Sequence, residues 1–64
     1  TNRLAKRLKQ LRAEQGITQA VLARRAGLTL SYIGRLETGR HDPQLSTLTK
    51  LAKALKMRVG ELVA

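Results

Sequence analysis

The sequence predicts an all-α fold, a compact bundle of five helices. Two observations carry that expectation. Apolar residues recur every three or four positions rather than alternating, and Gly16, Gly27, Gly39, Pro43 and Gly60 cut the chain into segments of helical length. The connections are a few residues each, which suits a small bundle built mostly from local contacts.

The first helix is expected from about Asn2 to Gln15. Leu4, Leu8 and Leu11 recur there at i, i+4 and i+7, while Arg3, Lys6, Arg7 and Lys9 take the other faces. Gly16 ends it. Thr18 is placed to cap a second helix, because its side-chain oxygen can accept from a first-turn N–H that has no partner inside the helix. Leu22, Ala23 and Ala26 would face inward, with Ile17 ahead of the cap as a hydrophobic staple and Val21 as its partner. Gly27 closes that helix. Thr29 then caps a third, in which Ile33 and Leu36 point inward and Gly39 stands where the exit needs a left-handed residue. The fourth helix follows Pro43, with a stripe of Leu45, Leu48, Leu51, Ala52 and Leu55. A short fifth turn from about Val59 contributes Leu62 and Val63.

Sixty-four residues make one domain at most, spanning 1–64. A chain of this size buries only about 60% of the surface it exposes unfolded, so its stability margin is small. There is no cysteine, which removes disulfide staples and thiolate zinc sites, and His41 is the single histidine. No metal or cofactor is expected. Thirteen Lys and Arg against four Asp and Glu give a net charge of +9, which favours a polyanionic partner. The chain is nevertheless 42% apolar, unlike a disordered basic tail. Tyr32 is the lone aromatic residue, too little for the stacking platforms that read single strands and RNA loops. Neither a membrane-spanning run nor a signal peptide is visible, so a soluble cytoplasmic protein, associated with the nucleoid, is expected. A first residue of Thr1 rather than Met leaves processing, trimming or a longer parent chain open.

The informative stretch runs from Gln19 to Glu37, inside a helix-turn-helix spanning about 18–38. Ala23 is small where two helices must approach closely, Gly27 supplies a left-handed turn, and Ile33 and Leu36 fill the wedge between the helices. Any α-hairpin with a glycine turn and leucine packing could share these features.

The chain resembles the phage repressor and Cro-like helix-turn-helix domains, the XRE family, over nearly its whole length. The resemblance is carried by Arg7-Leu8-Lys9-Gln10-Leu11-Arg12, Gly16-Ile17-Thr18-Gln19, Leu22-Ala23, Ala26-Gly27-Leu28-Thr29, Ser31-Tyr32-Ile33, Leu36-Glu37-Thr38-Gly39-Arg40, Pro43 and Leu51-Ala52-Lys53-Ala54-Leu55. It implies a five-helix, lambda-repressor-like domain that docks helix 3 in the DNA major groove, usually as a symmetric dimer, and regulates transcription.

If Ile33 and Leu36 face the core, then Leu30, Ser31, Gly34, Arg35 and Thr38 form the outward face of helix 3. Arg35 is the first candidate for base reading, since its fork can bond O6 and N7 of a guanine, worth about 1 to 3 kcal/mol of discrimination. The alternatives for it are a phosphate contact or a solvated arginine. Ser31 can read a base weakly or bond its own backbone, and Leu30 can offer only apolar contact to a thymine methyl. Gly34, a poor helix former, reads either as a close approach to DNA or as simple tolerance.

Phosphate contacts are expected from Gln19, which matches the family's phosphate-contacting glutamine at the start of helix 2, and from Thr29 and Tyr32. Thr38, Arg40 and His41 lie where family loops meet phosphate. Capping alone for Thr29, burial against helix 2 for Tyr32 and a plain solvated loop are the competing readings. By the family pattern Arg12 and Glu37 form a structural ion pair between helix 1 and the end of helix 3. Glu14, Asp42 and Glu61 are too scattered for a general acid and base, so no catalytic residue is expected.

Three positions depart from the family. Val21 stands in place of the acidic residue that would close a capping box with Thr18. Lys56 replaces the glycine that ends helix 4, so a different ending is expected there. Arg58 replaces the small polar cap of helix 5 and puts the Met57 to Ala64 segment, where family dimers often meet, in doubt. The expected function is a sequence-specific double-stranded DNA-binding transcriptional regulator, a repressor, acting as a homodimer on a palindromic operator. A protein-interaction module of the same fold is the alternative, such as the antitoxin of a toxin pair or a transcriptional bridging factor. A basic helix 1 lying on a membrane ranks below both, because its leucines are better used in a core.

Overall fold

The computed structural model describes residues 3–64, so Asn2, expected at the start of the first helix, lies outside the described residues. Five helices follow in order: α1 (Arg3–Gln15), α2 (Gln19–Ala26), α3 (Leu30–Glu37), α4 (Leu45–Ala54) and α5 (Val59–Leu62). Among the described residues there is no strand.

Local chemistry starts two of these helices where expected. The Thr18 hydroxyl accepts from the Val21 N–H at 3.1 Å, and the Thr29 hydroxyl accepts from the Tyr32 N–H at 3.1 Å. Each satisfies one of the orphan donors of a first helical turn. Exits are equally regular. After α1 the Ile17 N–H donates to the Arg12 carbonyl and the Gly16 N–H to that of Ala13; after α2, Leu28 donates to Ala23 and Gly27 to Arg24. In α4 the same pair runs from Met57 to Ala52, 2.9 Å, and from Lys56 to Lys53, 3.1 Å. At these three exits the residue after the left-handed position is apolar (Ile17, Leu28 and Met57), and all three pack on the core.

The different ending expected for α4 therefore does not occur. Lys56 takes the left-handed conformation itself, with φ 60, where Gly16 and Gly27 take it at φ 66 and 70. Two backbone hydrogen bonds and the partial burial of Met57 against the core outweigh a strain of about 1 kcal/mol on a residue with a Cβ. Lys56→Gly is accordingly expected to stabilise the fold by about 1 kcal/mol, raising the thermal midpoint by roughly 4 to 8 °C. Calorimetry showing an unchanged or lower midpoint would remove the strain argument.

The α5 segment forms despite Arg58. A guanidinium cannot accept a hydrogen bond, so Arg58 does not cap through its side chain. Instead the Glu61 carboxylate accepts from the Arg58 backbone N–H at 2.9 Å, which is half of a capping box.

All five helices feed one core, in which Leu8, Leu22, Ile33, Leu36, Leu51, Leu55 and Leu62 are fully buried. Helix α2 packs against both α3 and α4, α1 against α3 and α5, and α4 against α5. Ala5 and Ala54 are also buried, which the leucine stripes did not predict. Two expected core residues are corrected. Leu45 is 69% exposed and Val63 45% exposed. Periodicity puts a residue on a stripe, but burial also needs an element opposite it, and neither the first turn of α4 nor the end of α5 has one. Two long-range bonds tie the helix ends together: Gln15 donates through Nε2 to the Leu55 carbonyl at 2.9 Å, and Arg7 through Nη2 to the Glu61 carbonyl at 3.4 Å.

Candidate nucleic-acid interface

Between α2 and α3 the chain is Gly27-Leu28-Thr29, short enough that the packing of α2 on α3 fixes where every α3 side chain points. Ala23 is buried at this contact and leaves room for Ile33 and Leu36, both fully buried. The opposite face of α3 is then set by geometry. Leu30, Ser31, Arg35 and the capping residue Thr38 are exposed. The Arg35 guanidinium makes no hydrogen bond or ion pair with another described residue, so its five donors are free for an outside acceptor.

The expected phosphate contacts fall into two groups. Thr29, Tyr32 and His41 line one open groove of about 540 Å³, which lies between the α2–α3 turn and the start of α4. The Tyr32 hydroxyl and His41 Nε2 are hydrogen-bonded at 3.1 Å, their rings meeting edge to face with centroids 5.1 Å apart. Asp42, the α4 N-cap residue Gln44 and Thr47 in the first turn of α4 line the same groove; sequence reasoning singled out none of them as a site residue, though polar residues following Pro43 were a visible signal. Gln19, Thr38 and Arg40 lie apart from that groove. The Thr38 hydroxyl donates to the Arg35 carbonyl at 2.6 Å, so its proton closes the end of α3. Arg40 is exposed. Gln19 is half-buried and donates through Nε2 to Glu37 Oε1 at 3.1 Å, leaving the second proton of its amide nitrogen for another acceptor.

Glu37 joins α3 to the rest of the fold. It is 4% exposed and is held by Arg12 as a fork, Nε to Oε2 at 2.6 Å and Nη2 to Oε1 at 2.7 Å. Arg12 Nη1 also donates to the Ile17 carbonyl at 3.2 Å. Burial pushes the Glu37 carboxyl upward, but the bonds from Arg12 and Gln19 and the fields of Arg12 and Lys9 outweigh it and hold the group below its ordinary value of 4.5. The same bond to Glu37, offset in part by burial, raises the Arg12 guanidinium above its ordinary range. The four acceptor and donor partners fix α1, the start of α2 and the end of α3 against one another.

Away from this constellation, Arg25, Lys53 and Lys56 line a second cleft, and their charged side-chain groups make no hydrogen bond or ion pair with a described residue, which keeps this surface positive. Among the described residues no group of three or more His, Cys, Asp or Glu could hold a metal ion. No described helix is long and apolar enough to cross a membrane.

A helix-turn-helix family model matches residues 8–62. The chain belongs to the helix-turn-helix family. The chain is similar to the immunity repressor protein of Bacillus phage phi105, 40% identical over 60 residues that make up 94% of this chain and 42% of the repressor. The transcriptional regulator PuuR of Escherichia coli is 39% identical over 56 residues, 88% of this chain and 30% of PuuR. This helix-turn-helix chain thus spans less than half the length of either relative. The crystal structure of the restriction-modification controller protein C.AhdI from Aeromonas hydrophila superposes with a TM-score of 0.88 at 39% identity, covering 92% of this chain and 89% of that one. The overall fold is therefore shared with C.AhdI, and the helix-turn-helix is that of the family.

Proposed function

We propose that the chain is the sequence-specific DNA-binding domain of a transcriptional repressor, which acts by occupying a promoter or operator. The carrying observation is the outward face of α3: Arg35 stands free and exposed beside Ser31 and Leu30, on a helix whose inner face is locked to the core. In this reading α3 enters the major groove, Arg35 bonds a guanine, and Ser31 and Leu30 touch neighbouring base edges. Gln19, Thr29, Tyr32, Thr38, Arg40 and His41 position the domain on phosphates. The free cations and a net charge of +9 add a sequence-independent attraction. A cytoplasmic, nucleoid-bound protein and a symmetric homodimer on a palindromic site belong to the same reading, which has support from relatives named as regulators and as a phage repressor.

Selection from a random duplex library tests it, followed by titration of the winning duplex across a salt series. A palindromic consensus with half-sites about 10 base pairs apart is the expected result. Affinity should fall with salt at a log-log slope of about −0.9 per phosphate neutralised. No enriched sequence, or an affinity indifferent to salt, would overturn the proposal. Arg40→Ala should make the slope shallower by about 1 while weakening all duplexes alike, because a phosphate contact carries no sequence information. An Arg40→Ala variant that alters the consensus would move Arg40 from phosphate to base.

A further inference from the structure

We propose that Gly34 is the point where α3 comes closest to the base-pair edges, so that the missing side chain there is itself a determinant of DNA affinity and specificity. The proposal deepens the DNA-binding reading and stands only if that reading does.

Gly34 lies inside the eight-residue α3, three positions after Ser31, four after Leu30 and next to Arg35. It therefore sits in the middle of the outward stripe. A glycine is retained inside a fold for one of two reasons, a left-handed backbone or a neighbour too close for a Cβ, and neither applies here. Positive φ occurs at Gly16, Gly27 and Gly39 but not at Gly34. Apart from its chain neighbours and the backbone of its own helix, a Cβ built on Gly34 meets nothing within 4 Å. The fold gains nothing from the glycine and loses by it, because glycine in a helix interior is unfavourable relative to alanine. That loss falls on a short helix in a domain with a small stability margin.

The compensation lies outside the chain. A helix with its side chains is about 10 to 12 Å across and the major groove about 12 Å wide, so the fit is tight along the whole contact. Removing one Cβ from the middle of the facing stripe lets the helix axis settle deeper by about the length of a carbon–carbon bond, roughly 1.5 Å. Ser31 is short and reaches a base edge only from such a depth. Arg35, next along the helix, gains a straighter approach for its fork.

Gly34→Ala separates the two sides of the argument, since it adds one methyl and no charge. Three readings are compared with wild type: the thermal midpoint, the affinity for the duplex selected by wild type, and the affinity for an unrelated duplex. The variant should melt roughly 2 to 8 °C higher. It should bind the selected duplex about tenfold or more weakly, bind the unrelated duplex equally well, and keep the salt slope. Non-specific complexes are held by phosphates and do not need the close approach. Equal affinity of variant and wild type for the selected duplex would overturn the role of Gly34 and leave the DNA-binding reading intact. Equal losses on both duplexes would overturn it too, by showing a general defect. Wild type that selects no sequence would remove the DNA-binding reading and this one with it.

Discussion

Arg12→Ala is expected to cost about 3 to 5 kcal/mol, enough to leave much of the population unfolded at ambient temperature. A chain of this length has a total stability of roughly 3 to 10 kcal/mol. The substitution strips two charge-assisted bonds, 2.6 and 2.7 Å long, from a carboxylate that is 4% exposed. Only the 3.1 Å bond from Gln19 would remain on Glu37. The Ile17 carbonyl, between α1 and α2, loses a donor as well. Glu37→Gln should be milder, because the Arg12 side chain keeps 19% of its surface in solvent and can hydrate. Replacing both residues with apolar ones of similar size should recover most of the loss, since no charge is then left buried without a partner. Denaturant unfolding of the three variants measures this, and a loss below about 1 kcal/mol in Arg12→Ala would reclassify the pair as a solvated surface bridge.

The same pair sets an acid limit. Glu37 is held below its ordinary 4.5 in the folded state, so at pH values just under 4.5 the unfolded chain binds more protons than the folded one. Its contribution is complete above the ordinary carboxylate range and is lost as the pH falls through the folded value. Wild type should therefore lose stability on acidification below about pH 4.5, and Glu37→Gln should show a flatter acid limb. Parallel limbs would assign acid unfolding to other groups.

For Arg35→Ala the expected effect is on recognition alone. The side chain is exposed and unpaired, so stability should change by no more than about 0.5 kcal/mol. Affinity for the selected duplex should drop by about 1 to 3 kcal/mol, roughly 5- to 150-fold, and repeated selection should lose preference at one base position in each half-site. The contrast with Arg40→Ala is diagnostic, because a base contact changes the consensus while a phosphate contact changes the salt slope. A uniform weakening with the consensus intact would move Arg35 to the phosphates and leave Ser31 and Leu30 to read bases.

Much of the candidate interface was legible because its determinants are local. The Thr18 and Thr29 caps, the glycine exits at Gly16 and Gly27, and the inward set of Leu22, Ala23, Ala26, Ile33 and Leu36 each depend on neighbours within about four residues. The pairing of Arg12 with Glu37 spans 25 residues and has no periodic signature. It was anticipated only through family resemblance. The link between Tyr32 and His41 escaped notice although each residue was singled out, because nothing in the pattern says that the α3–α4 loop folds back onto α3.

What the sequence alone determined is where helices begin, end and turn their apolar faces, since capping, backbone conformation and 3.6-residue periodicity act over a single turn. Which faces are covered was decided by the tertiary structure, as the exposed Leu45 and Val63 demonstrate. So was the left-handed Lys56, where the packing of half-buried Met57 on the core overrides a local preference. The bonds from Gln15 to Leu55 and from Arg7 to Glu61 belong to the same class. Each joins groups that are far apart in the chain and meet only when the core closes, and the free energy that holds them comes from that closure.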